Sequence, residues 1–217
     1  MRPVTKHAVP PAGDICRLSA VDLADAIRRR HLSVREVMVA FLDRIEAVNP
    51  LVNAIVSLHE RSDILDEADT ADVHLAQAGH AGPLFGLPIA IKDLALTKGL
   101  TTTFGSPIFA DFVPQEDDFF VERVRKAGAI VIGKTNVPEF GLGSNTYNTV
   151  FGPTLNAFDP AVTAGAARAV ERPLHSRSTW FPSLTAATLA ARCAIRPPTT
   201  ISMAFAHPRD LFPAALT

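Results

Sequence analysis

Two lysines close apolar stretches of this chain, and their type and placement could support chemistry. Lys92 ends Leu84-Phe85-Gly86-Leu87-Pro88-Ile89-Ala90-Ile91, and Lys134 ends Ala129-Ile130-Val131-Ile132-Gly133. At a strand end a lysine ordinarily carries its charge out to water along its aliphatic stem. Held instead in a desolvated pocket, the amine gives up its proton more readily and can serve as a base. Around the second lysine, Gly128–Thr135 spells G-x-x-x-x-G-K-T, the pattern of a phosphate-binding loop. Such a loop needs flexible residues between a strand and a helix. Here the four middle positions are themselves strand-like, and Asn136-Val137-Pro138 stands where the helix would start. Nucleotide binding at Gly128–Thr135 therefore ranks last among the readings. His7, His31, His59, His74 and His80 are scattered among polar neighbours without ligand spacing, so neither a metal nor a cofactor is expected.

The elements that must position these lysines can be read from capping and periodicity. Ser19-Ala20-Val21-Asp22 caps a helix with Leu23, Ala24 and Ile27 on its apolar side and Arg28, Arg29 and Arg30 at its end, where cations suit the helix dipole. That arginine run reads as a solvated helix end rather than an anion site. Ser33-Val34-Arg35-Glu36 is a capping box opening a second helix, expected to end at Asn49-Pro50. Ala54–Leu58 reads as a short strand, and residues Ser62 to Gln77 as a polar helix. Pro88 denies one ladder hydrogen bond, so an edge or a bulge is expected there. Gly99 to Pro107 is a Thr/Gly/Ser loop. Asp117 to Lys126 reads as a helix with Phe119, Phe120 and Val124 inward, and Ala129–Ile132 as a buried strand. Alternating helices and strands make an α/β fold with a parallel or mixed sheet.

The 217 residues carry 21 basic and 22 acidic side chains, a net charge of -1, which argues against a polybasic nucleic-acid or membrane-surface binder. Cys16 and Cys193 are too few for a disulfide framework. No apolar run approaches the ~20 residues of a membrane span, and the N-terminus opens no signal-like segment. A cytoplasmic protein is expected. Composition changes near residue 160: every lysine and asparagine, and all but one of the 12 glycines, lie before it, while Ala, Arg and Pro dominate 161–217. Residues 1–160 and 161–217 are accordingly read as separate segments.

Four stretches in order carry a family resemblance. They are G-P-L-F-G-L-P-I-A-I-K-D (Gly82 to Asp93), T-T-T-F-G-S (Thr101 to Ser106), R-K-A-G-A-I-V-I-G-K-T-N-V-P-E-F (Arg125 to Phe140) and N-T-Y-N-T-V-F-G-P-T-L-N-A-F-D-P (Asn145 to Pro160). Together they resemble the amidase signature family, whose members hydrolyse amide bonds and include ammonia-releasing subunits of tRNA-dependent amidotransferases. The resemblance implies an α/β fold with a mixed sheet flanked by helices, of which residues 1–160 would be the N-terminal portion. It also implies a Ser–cis-Ser–Lys triad. A lysine takes a proton through one serine so that another can attack the carbonyl, with backbone amides holding the oxyanion. By position the lysine is Lys92, and Lys134 matches a position outside the triad.

The two serines of that triad have no counterpart. After Asp159-Pro160 the chain reads A-V-T-A-G-A-A-R-A-V-E-R-P-L, and Ser176, Ser178, Ser183 and Ser202 lack the glycine neighbours of the family's motifs. The other reading frame can supply them. Shifted so that each codon takes the third base of one residue and the first two of the next, Phe181–Thr199 can encode P-V-A-D-G-S-D-F-G-G-S-L-R-N-P-A-A-Y, a nucleophile-like loop. The same shift lets Ala164–Val170 encode G-G-S-S-G-G. Residues 161–217 are therefore expected to be an out-of-frame, irregular or partly helical tail.

Three functional expectations remain. The resemblance implies first an amidase by descent, acting on small-molecule amides and inactive as translated. The alternatives are a non-catalytic fragment that associates with a full-length homologue through an exposed sheet edge, or an amidotransferase A-subunit-like protein, and last the nucleotide binding spelled at Gly128–Thr135. Strands Phe85–Ile91 and Ala129–Ile132 are expected to lack part of their cover, which favours self-association or aggregation.

Overall fold

The computed structural model of the chain describes residues 15–78, 82–157 and 160–164. Helix α1 (Ala20–Arg28) starts where the Ser19 hydroxyl accepts from the Asp22 amide at 3.1 Å. Helix α2 (Val34–Val52) opens on the expected capping box: the Glu36 amide donates to the Ser33 hydroxyl at 3.0 Å, and the Ser33 amide donates to the Glu36 carboxylate at 2.8 Å. The arginine run after α1 is structural. Arg28 and Arg29 pair with Asp25, and the Arg30 guanidinium donates to the Leu75 carbonyl at 2.7 Å, in the last turn of helix α3 (Arg61–Ala78).

Helix α2 runs through Pro50 to Val52 instead of stopping at Asn49-Pro50. Two asparagines account for the extra turn. The Asn53 backbone is left-handed and donates to the Asn49 carbonyl at 2.7 Å, while the Asn49 side chain accepts from the amides of Ala54 and Ile55. Those bonds redirect the chain into strand β1 (Ile55–Leu58).

Strand β2 (Pro88–Lys92) and strand β3 (Ile130–Thr135) complete a three-stranded mixed sheet in the order β1-β3-β2. β3 is central, antiparallel to β1 and parallel to β2. Among the described residues Pro88 sits on an outer strand, which meets the edge expectation for that proline; the register shift falls beyond it, between Ile89 and Ala90, with the extra residue, Ile132, on β3. A small ribbon of strands β4 (Tyr147–Asn148) and β5 (Gly152–Pro153) follows.

Both faces of the central strand are covered, while Pro88, Ile89 and Ala90 of β2 stay half-buried. Ile130 and Ile132 pack with Ile27, Val37, Met38 and Ile64 of the first three helices. On the opposite face Ile91 and Val131 pack with Leu100 and with Val121 of helix α4 (Phe119–Lys126). All six residues of β3 are buried, which corrects the expectation that Ala129–Ile132 would lack cover. The expected inward face of α4 is also corrected. Phe119 is 71% and Phe120 49% exposed, and Val121 is the residue turned to the core. The Asp117 and Asp118 carboxylates accept from the amides of Lys98 and Leu96, fastening the start of α4 to the loop after β2. That anchorage sets the helix rotation, and the Phe119 ring carries the Arg123 guanidinium over its outer face.

No helix among the described residues is long and apolar enough to cross a membrane. Residues 165–217, which hold most of the expected out-of-frame tail and Ser176, Ser178, Ser183 and Ser202, lie outside the described residues.

Candidate active site

The bulge in the β2–β3 ladder decides where the lysines point. Gly133 lies so close to β1 that a Cβ there would stand 2.3 Å from the Ser57 carbonyl oxygen. Beyond the register shift the Cα partners are Ala90 with Gly133, Ile91 with Lys134 and Lys92 with Thr135. Side chains alternate along a strand, and opposed residues share a face. Lys134 therefore falls on the face of Ile91, toward α4, while Lys92 and Thr135 fall together on the other.

Lys134 is fully buried and its three hydrogens are all engaged. The ammonium donates to the Ala95 carbonyl and, at 3.0 Å each, to the hydroxyls of Thr97 and Thr102. The Asp93 carboxylate lies 3.9 Å away, itself fully buried and accepting from the amide and hydroxyl of Thr103. Burial lowers the Lys134 pKa to about 8, against the attraction of Asp93, and burial raises that of Asp93. An ammonium with no free hydrogen and no exposed surface can reach neither phosphate nor substrate. Together with the placement of Ile130–Ile132 inside a strand, this excludes the phosphate-loop reading of Gly128–Thr135.

Lys92 has the complementary surroundings. It is half-buried at the end of β2, and among the described residues its ammonium has no hydrogen-bond or ion-pair partner. Burial pushes its pKa below the ordinary lysine value, with no charged neighbour contributing. An amine that is desolvated, unpaired and still reachable meets the requirements of a base. Opposite it, the Thr135 hydroxyl is buried and finds no partner among the described residues.

Two loops stand at the same end of the sheet. Thr103, bonded to Asp93, leads into Phe104-Gly105-Ser106, and β3 leads through Asn136 to Glu139-Phe140-Gly141. Phe104 and Phe140 both have left-handed backbones, each followed by a glycine of positive φ. The Phe140 amide donates to the Phe104 carbonyl at 2.7 Å and the Ser106 hydroxyl donates to Glu139 at 2.7 Å, so the loops hold one another in this strained form. Asn136 is buried at the root of the second loop. Its amide group donates to the Gly152 carbonyl and the Thr154 hydroxyl and accepts from Asn148, which ties the β4–β5 ribbon to the end of β3.

Of the two lysines singled out from sequence, Lys134 is sealed in and fully engaged, and Lys92 is half-buried without a partner among the described residues. Sequence reasoning missed the Lys134–Asp93 pair, the unpartnered Thr135 and the Asn136 hub. The threonine run after Lys92-Asp93 was the available signal for the first, since a buried charge needs close hydroxyl partners.

A family model described as Amidase matches residues 36–167. The chain is 43% identical over 146 residues to the glutamyl-tRNA(Gln) amidotransferase A-subunit of Acidothermus cellulolyticus, covering 67% of this chain and 29% of that protein. The solved structure of a fatty acid amide hydrolase superposes with a TM-score of 0.69 at 27% identity, covering 73% of this chain and 28% of that one. A bacterial aryl acylamidase of the amidase signature family superposes with a TM-score of 0.65 at 28% identity, over 69% and 31% of the two chains. This chain thus spans about a third of the length of the relatives it matches.

Proposed function

Because the chain belongs to the amidase signature family, we propose that it carries the base of an amide-hydrolysing centre, Lys92, within an N-terminal portion of the amidase domain, residues 1–160. The observation that carries this reading is the half-buried, unpaired Lys92 amine with its pKa lowered by burial. In the neutral form its lone pair accepts a proton relayed from an attacking hydroxyl. That oxygen then adds to the amide carbonyl, and the proton passes to the departing nitrogen as the C–N bond breaks. The substrate class is a small-molecule carboxylic amide. The reaction is set in a reducing cytoplasm, an assignment that fits the free, buried Cys16 thiol.

Residues 161–217 are proposed to be an out-of-frame tail. The serine-bearing glycine motifs are not spelled in this chain, so Lys92 has no family nucleophile to activate. Loss of the nucleophile removes most of the rate enhancement in comparable triads. The purified chain is expected to hydrolyse simple aromatic or aliphatic amides only at the buffer rate. Turnover that disappears in Lys92→Ala would overturn that expectation. The base itself is tested separately, by acylating the protein across a pH series and quantifying the peptide that contains Lys92. Its labelling midpoint is expected below 10.5, the ordinary lysine value.

One observation favours a second reading, association with an intact homologue. Phe119 and Phe120 expose aromatic surface on α4. Co-purification with a full-length amidase, lost in Phe119→Ser/Phe120→Ser, is the expected result if this face docks.

A further inference from the structure

We propose that Thr135 is a positioning residue for Lys92: its buried hydroxyl lies one strand away across the parallel β2–β3 ladder and has no partner in the structure, and it accepts a hydrogen bond from the Lys92 ammonium when that side chain turns toward it, which holds the amine at the sheet end. The inference rests on the assignment of Lys92 as the base and adds to it a residue that sets the orientation and proton affinity of that base.

Three observations converge on this pair. Lys92 and Thr135 are Cα partners in the ladder, and neighbouring strands lie about 4.8 Å apart. A lysine stem of four carbons spans that separation easily. The bulge at Gly133 is what puts the two on one face; without the register shift, Lys134 would take the position of Thr135 opposite Lys92. Neither side chain has a hydrogen-bond partner among the described residues, and the structure does not draw the bond between them. The Thr135 hydroxyl is fully sequestered and unsatisfied, a condition that ordinarily costs about 1–3 kcal/mol in a fold. Its neighbours are already engaged: the Thr97 and Thr102 hydroxyls are bonded to Lys134, and Thr103 to Asp93. Asp93 is the nearest carboxylate in sequence to Lys92, and it faces Lys134. The Lys92 ammonium and the Thr135 hydroxyl are thus a donor and an acceptor left to one another.

A merely structural threonine gives a different expectation. β-Branched residues suit strands, and a buried hydroxyl with no partner is improved by a methyl group of the same shape. On that view Thr135→Val stabilises the protein and leaves Lys92 untouched. If the hydroxyl instead stabilises the ammonium, its removal makes Lys92 easier to deprotonate, because a charge-assisted hydrogen bond favours the charged form.

The test measures the pH midpoint of Lys92 acylation by peptide mass spectrometry in the full chain. Thr135→Val is expected to lower the midpoint by about one pH unit, and Thr135→Ser to restore it. A midpoint in Thr135→Val equal to that of the unmodified sequence overturns the inference, as does a shift that serine does not rescue. Thr135→Ala carries the same comparison if the valine variant fails to fold. The two readings fail separately. A midpoint of 10.5 in the unmodified sequence removes Lys92 as the base, whereas a lowered midpoint indifferent to Thr135→Val removes only the positioning role.

Discussion

Replacing Lys134 with methionine is expected to destabilise the fold by about 3–5 kcal/mol, the usual cost of leaving a buried charge without its partner. The loss falls on four groups at once. The Asp93 carboxylate keeps its burial without a cation, the Thr97 and Thr102 hydroxyls lose the donor they accept from, and the Ala95 carbonyl keeps only the Thr97 hydroxyl. Against a typical total of about 5–15 kcal/mol, that leaves a marginal protein. The double variant Lys134→Met/Asp93→Asn is expected to recover a large part of the loss, since asparagine still accepts from Thr103 but carries no charge. Urea unfolding of the two singles and the double measures the coupling; strict additivity would contradict it.

The pH dependence of the same pair has a definite sign. The folded Lys134 pKa of about 8 lies below its unfolded value of 10.5, so between those limits the unfolded chain holds more protons on this lysine. Stability from this group is therefore complete above pH 10.5 and is lost as pH falls through about 8. Asp93 runs oppositely: its folded pKa is raised above 3.8, so its contribution is complete below 3.8 and is lost as pH rises through the folded value. Thermal melts between pH 8 and 10 should show a gain in the wild type that Lys134→Met lacks.

Gly133→Ala is expected to cost about 3 kcal/mol or more, at the upper end of what overpacking a well-filled core produces. The new methyl group would meet the Ser57 carbonyl oxygen at 2.3 Å, and its obstacle is backbone, which cannot rotate away. β1 would have to separate from β3 or the bulge would have to move, and moving it turns Lys134 away from its threonines. The variant should therefore lose both the β1–β3 pairing and the protection of residues 130–135, read by amide hydrogen exchange. A melt within 1–2 °C of the wild type, far less than such a loss implies, would refute the tight approach.

Much of this framework could be read locally. Ser33 and Glu36 announce their helix because both halves of a capping box lie within one turn, and the apolar run of β3 reads as buried because it is. What sequence could not supply depended on distant partners. The helix that passes Pro50 is held by asparagines acting on the next strand. Phe119 and Phe120 looked inward because periodicity identifies an apolar face without saying what covers it. Lys92 and Lys134 looked alike from sequence, each closing an apolar strand. The family motif favoured Lys92, and a bulge forced by the nearness of Gly133 to another strand separated their roles in space.

The strand order has a consequence for how the molecule is made. Among the described residues β1 and β2 each pair only with β3, which follows them in the chain. As the polypeptide leaves the ribosome, the first three helices can gather while both earlier strands wait without a backbone partner. Only when residues 130–135 emerge can the sheet close, and it then closes on both sides together. Folding of this region is thus gated by one late segment, and until it arrives the nascent chain is a ready client for holding chaperones.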